Sequence, residues 1–214
     1  MMFFHDTRAI GLVFWIVVVL LIINSVIVLL GTFMDDMITV PYYVIDDMIT
    51  VPDYVIDVQM YCLVIGVGNL ISAAIYAVNA HRVMSRKNTK LEVLRNYVMT
   101  VGLCTLVGAF TEGIAEYMFT EEREIGLMIT GIGIVLGIII ILIALVIANG
   151  KKSFGKKVIW AILVIAFVLL LIDALLPADN YWGYAEDIAH LLISFFMLAF
   201  ILDSEVRTEM GAKS

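Results

Sequence analysis

Six long runs of this sequence carry almost no charge, and no other feature limits its folding as strongly. Residues 10–30, 58–80, 97–119, 125–148, 158–176 and 185–202 are dominated by Val, Ile, Leu, Ala, Gly and Phe. A helix needs roughly 20 apolar residues to cross ~30 Å of hydrocarbon, so each run has the length of one crossing. In lipid, backbone N–H and C=O groups must be satisfied within the segment, which selects helices over open sheets. Barrel strands would show about 10 residues of alternating polarity, and none of the runs alternates. Of the 214 residues, 63% are hydrophobic and 15% charged. A soluble fold usually carries about 25% charged residues, so the surplus apolar surface belongs against lipid. The expectation is an all-α, polytopic membrane helix bundle of about six transmembrane helices. It forms a single membrane domain over residues 1–214, with no soluble domain. The first run is too long for a signal peptide and lacks a small-residue cleavage site after it, so it reads as a retained span.

Lysine and arginine gather on the cytoplasmic side of membrane proteins. With the N-terminus inside, every Lys and Arg except Arg123 falls in an inner segment, chiefly in the loops 82–95 and 151–157. Six spans then place both termini in the cytoplasm of a multi-pass protein in the cell membrane. Most acids run the other way, from Asp35 and Asp36 to Glu121, Glu122 and Asp179. Such an outer face attracts cations and repels anions, and equally serves solubility. A pI near 4.8 with outward acids excludes nucleic acid as a partner, since that needs a basic patch. Tyr42, Tyr43, Tyr54, Tyr61, Tyr117, Tyr181 and Tyr184 mark the outer boundary, and Tyr97 and Trp160 the inner one, as interfacial anchors. Cys62 and Cys104 sit ~16 Å apart in depth at 1.5 Å per residue, too far for a disulfide.

The first outer loop contains a tandem repeat. Residues 35–45 read DDMITVPYYVI and residues 46–56 read DDMITVPDYVI, differing only at Tyr42 against Asp53. Pro41 and Pro52 break any continuous helix there. The carboxylates suit a hard cation bound through oxygen, although EF-hand spacing is absent. A tolerated duplication accounts for the identity as well, because loops accept insertions cheaply.

Ionisable groups inside spans are costly and are functional candidates by default. Glu112 and Glu116 are four apart and share a helix face. Asp187 and His190 are three apart, and Asp173 lies near the outer end of the fifth span. All five fall within ~10 Å of the outer boundary. If spans three, five and six are neighbours, they converge into a site for a divalent metal ion, which carboxylates and imidazole suit. An acid-x-x-His step is also how helix bundles hold metals. Crowded acids with raised pKa values offer the alternative of proton coupling. Equally, groups this close to the interface can splay into the headgroups, where the cost of charge falls.

The fourth span carries Gly133-x-x-x-Gly137, a spacing for close helix contact, internal or between protomers. Residues 66–69, GVGN, lack the third glycine and the preceding strand of a dinucleotide loop. His5, His81 and His190 lie at different depths, which disfavours bis-histidine haem. No nucleophile motif of the Gly-x-Ser-x-Gly type is present. Three functions remain. The first is a small cation transporter or channel-like protein, for metal or protons, with an acidic outer vestibule. The second is a non-catalytic membrane subunit or sensor of a larger complex, with homo-oligomer or membrane partner subunits. The third is a metal-dependent intramembrane enzyme on the same cluster, for which no substrate is indicated. The orientation predicts that, in a cysteine-free background, Ser85→Cys is labelled by an impermeant maleimide only from the cytoplasmic side and Asp53→Cys only from outside. Labelling of both from one side rejects the topology.

Overall fold

The computed structural model describes residues 7–30, 32, 58–85, 88–120, 123–148, 154–175 and 184–212, without the side chains of Val58, Phe154, Asp173, Tyr184 and Glu186. The tandem repeat at 35–56 lies outside the described residues. Seven helices follow one another: α1 (Arg8–Leu30), α2 (Val58–Ser85), α3 (Lys90–Phe119), α4 (Arg123–Ala148), α5 (Phe154–Asp173), α6 (Tyr184–Ile201) and the short α7 (Ser204–Glu209). The first five are long and apolar enough to cross a membrane, while α6 is a shorter apolar helix. The protein is an all-α helical bundle.

Local chemistry sets the helix ends. The Asn88 amide donates to the Arg82 and Val83 carbonyls at 3.1 and 3.2 Å, closing the last turn of α2. One residue on, Thr89 opens α3 with a capping box. Its hydroxyl accepts from the Glu92 N–H, and the Thr89 N–H donates to the Glu92 carboxylate at 2.8 Å. Two orphan donors are satisfied reciprocally. This capping starts α3 seven residues before the apolar run begins, and α2 likewise runs on to Ser85.

Successive helices run antiparallel. A Cβ at Gly11, early in α1, would meet Met84 at the end of α2, and one at Gly66, early in α2, would meet Leu29 at the end of α1. The ends of α3 and α6 alternate likewise, since Lys90 bonds Asp203. All described lysines and arginines except Arg123 therefore collect at one end, the basic end. Around the bundle, the neighbour order is α4, α3, α2, α1, α6, α5, and α4 and α5 barely touch where the ring would close.

The middle of the bundle is aromatic. Phe14 of α1 stacks on Tyr97 of α3 with centroids 5.7 Å apart and planes 6° apart, and Phe167 of α5 tilts against the same ring at 5.8 Å. The Tyr97 hydroxyl is hydrogen-bonded to Tyr76 of α2. Tyr97 was expected at the headgroup boundary and is instead 2% exposed. The early start of α3 at Lys90 moves it ~10 Å inward, where a phenol needs both an apolar cage and a partner for its hydroxyl.

The most extensive packing is between α3 and α4, and glycine makes it possible. A Cβ at Gly133 would run into Ala109 of α3, and one at Gly137 would meet the Leu106 side chain and the Gly102 carbonyl. The Gly133-x-x-x-Gly137 face is thus used inside the chain. On its other sides α4 exposes Leu127, Met128, Ile132, Val135 and Leu142, the all-round apolar surface of a lipid-facing helix. Gly133→Val should destabilise the protein by about 1–3 kcal/mol through overpacking, read as a lower unfolding temperature in detergent. At Gly131 an added Cβ meets nothing within 4 Å. There Gly131→Ala should stabilise by about 0.4–1 kcal/mol by restricting the unfolded chain.

Candidate functional site

The acids singled out in the sequence sit at the end of the bundle opposite the basic one. Glu116 of α3 is half-buried, and its carboxylate accepts from the Tyr61 hydroxyl of α2 at 2.9 Å. Glu112, one turn deeper on the same face, is exposed. On α6, Asp187 is half-buried and His190 exposed. The Asp173 side chain lies outside the described residues. Among the described residues, no group of three or more His, Cys, Asp or Glu side chains is placed to hold one metal ion. The structure brings Glu116 to Tyr61, a partner that spacing does not reveal. It does not pack α3 along α6, whose main neighbours are α1 and α5. The cysteines are free, and the Cys104 thiol donates to the Ser72 carbonyl of α2 at 3.8 Å.

At the basic end α3 instead meets the segment that follows α6. There the chain breaks between α6 and α7, and Asp203 occupies the break. Its carboxylate accepts from the Glu205 N–H at 3.0 Å, capping α7. The same oxygen pairs with the Lys90 ammonium at 2.9 Å, and Glu205 adds a second contact to Lys90 at 3.1 Å. Asp203 is fully buried and the Lys90 side chain 7% exposed. Trp160 of α5 joins the cluster by donating its indole N–H to the Ile201 carbonyl at 2.9 Å, and the Arg207 guanidinium lies 5.9 Å over its ring. Sequence reasoning assigned Lys90 to a basic loop and passed over Asp203, because 113 residues separate the partners and no periodicity links them. The only available signal was an acid among basic segments. Chemically the cluster is a clamp: Lys90 is paired with Asp203 and Glu205, and the group ties α3, α5, α6 and α7 together.

A wide opening lies where the ring fails to close. A cleft of about 710 Å3 between α4 and α5 has α3 as its floor. Tyr97, Val101 and Thr105 line it from α3, Leu136 and Ile140 from α4, and Ala166 and Leu170 from α5. Val101 and Thr105 lie ~16–22 Å along α3 from its basic end, near the middle of the helix. The hydroxyl of Thr105 donates to the Val101 carbonyl on its own helix at 2.9 Å, and that of Tyr97 is taken by Tyr76. The walls are therefore apolar in character. The volume falls in the ~300–1,000 Å3 range of small-ligand sites. The chain matches no protein-family model, no curated protein and no solved structure.

Breaking the clamp from one side should be costly, because a buried charge is left uncompensated. Lys90→Met should lower stability by about 3 kcal/mol, measured as the unfolding temperature in detergent. Adding Asp203→Asn, which keeps a capping side chain but removes the stranded charge, should recover part of the loss. If the double variant is no better than the single one, the pair does not behave as a coupled unit.

Proposed function

We propose that this is a non-catalytic multi-pass protein of the cell membrane, a subunit or sensor, that takes a single apolar chain from the bilayer into the cleft between α4 and α5. One observation carries this reading. Six helices encircle an aromatic centre, yet the ring stays open along one seam, and the seam is apolar in the middle of the bundle. Lipid reaches such a cleft sideways without any polar group having to be desolvated, which avoids the main cost of burial. The stacked Phe14, Tyr97 and Phe167 fill the middle of the bundle beside the cleft and support a binding role over conduction along the bundle axis. Purified protein should retain a fluorescent acyl-chain lipid, and Ala166→Trp, which fills the cleft from α5, should remove most of that binding. Equal retention by both proteins overturns the proposal.

The acidic end supports a second reading, transport of a metal ion or protons. Glu112 and Glu116 share a face of α3, and Tyr61 orients the Glu116 carboxylate. On this reading Glu112 and Glu116 take the cation or proton on α3, and Asp173, Asp187 and His190 are separate stations on α5 and α6 rather than ligands of one ion. Liposomes containing the protein should then pass protons or a divalent cation, and Glu112→Gln should abolish the flux. No flux, or flux unchanged in the variant, rejects transport through this site.

A further inference from the structure

A second, smaller cavity opens at the basic end between α2 and α3, on a different pair of helices from the apolar cleft. Its volume is about 220 Å3. Asn79 of α2 lines it, and this side chain is 4% exposed. Neither its Oδ1 nor its Nδ2 has a hydrogen-bond partner among the described residues. A buried polar atom without a partner costs the full desolvation of that atom, and here two such atoms sit on one side chain. Buried polar groups in native proteins are nearly always satisfied. An amide left open on both atoms, beside a cavity, is arranged for something that both accepts and donates.

The surroundings narrow the chemistry. Arg82 also lines the cavity and is an exposed residue. Asn96 of α3 lines the opposite wall, and its Oδ1 is already occupied by the Arg95 Nε and Nη2 at 3.2 and 2.9 Å. Its NH2 group remains to donate. Ile75, Val78 and Leu103 form the deeper wall. Measured along the helices, Arg82 lies ~5 Å from the end of α2, Asn79 and Asn96 each ~9 Å from their helix ends, and Ile75 ~15 Å. A cation at the surface, amides beneath it and hydrocarbon below match the layering of a phospholipid. Its phosphate would accept from Arg82, and its headgroup glycerol, turned inward beneath the phosphate, would accept from Asn96 and the Asn79 NH2 against Ile75 and Leu103. The Asn79 oxygen then calls for a donor, which a choline ester lacks, and a polyol hydroxyl can both donate to that oxygen and accept from the amide NH2. The loop 82–95 adds Arg86 and Lys87, whose charge attracts anionic lipid to the same leaflet.

We infer that the cavity between α2 and α3 binds a glycerophosphate group bearing a free hydroxyl, with Arg82 on the phosphate and Asn79 on the hydroxyl. The chemistry occurs in an anionic lipid such as phosphatidylglycerol and in soluble glycerol phosphate. The test is a thermal-shift titration of the full chain in zwitterionic detergent–phosphatidylcholine micelles. One arm adds phosphatidylglycerol, one adds glycerol 3-phosphate, and a control adds phosphatidic acid, whose phosphate monoester carries at least as much negative charge but lacks the headgroup hydroxyl.

Phosphatidylglycerol should raise the unfolding temperature more than phosphatidic acid does. Arg82→Gln, at an exposed position, should fold normally and weaken the response about tenfold, as loss of a charged hydrogen bond would. Asn79→Leu should fold as well as or better than the parent, since it removes two unsatisfied atoms, yet should no longer distinguish the two lipids. A shift with glycerol 3-phosphate alone supports the site and assigns it to the soluble source, and a shift with phosphatidylglycerol alone assigns it to the lipid. A shift with phosphatidic acid that equals or exceeds the shift with phosphatidylglycerol in all three proteins overturns the proposal, because general attraction to a basic surface predicts that result. Absence of any shift overturns it too, leaving water as the occupant that satisfies Asn79. Ala166→Trp, in the other cleft, should leave these responses unchanged, so the two sites stand or fall separately.

Discussion

Tyr97 is the side chain around which the bundle is organised. Its ring is held between Phe14 and Phe167, its hydroxyl is bonded to Tyr76, and it projects from α3. Four helices therefore converge on one phenol. In a bilayer the hydrophobic effect does not drive helices together, because lipid tails are as apolar as leucine, and association rests on van der Waals fit and hydrogen bonds. A large flat ring offers contact area on two faces, and the single polar tip makes its position specific. The neighbouring α1 is the most thoroughly buried of the long helices, as expected for an element that touches α2, α6 and this central stack.

Two further devices complete the assembly, at different depths. Toward the acidic end α3 and α4 are joined by backbone approach, with Gly133 and Gly137 set against Ala109 and Gly102. At the basic end α3 is fastened to the α6–α7 break through Lys90 and Asp203. Small residues serve where helices must come close, and a charge pair serves where the chain leaves the hydrocarbon. A buried pair gives little net stability but strongly penalises arrangements that separate its members. It consequently selects the register between α3 and α6.

What remains open follows from what these devices leave alone. Nothing comparable joins α4 to α5, and the apolar cleft lies there. No group among the described residues satisfies Asn79 between α2 and α3, and the smaller cavity lies there. One opening is dry in character and reached from the side, the other is polar and reached from the basic surface. The carboxylates at the opposite end are spread between Tyr61-bonded Glu116, exposed Glu112 and the separate helix α6.

The sequence by itself determined the class of fold. Apolar runs of span length admit few alternatives to helices in a bilayer, and the described helices fall within a few residues of those runs. Boundaries shifted where capping extended a helix beyond its apolar run, as Thr89 and Glu92 did for α3. That α4 makes a close helix contact was legible in the glycine spacing, although its partner, and whether that face is internal or intermolecular, was not. Tyr97 was misread as an interfacial anchor because hydropathy reports depth only through the assumed start of the helix. The Lys90–Asp203 clamp, the Tyr61–Glu116 bond and the two cavities were decided by tertiary structure alone. Periodicity tells which residues share a helix face, since neighbours at three and four positions are set by local geometry. Which faces meet depends on side-chain shape and partner satisfaction across the whole bundle, and that information is carried by pairs of residues far apart in the chain.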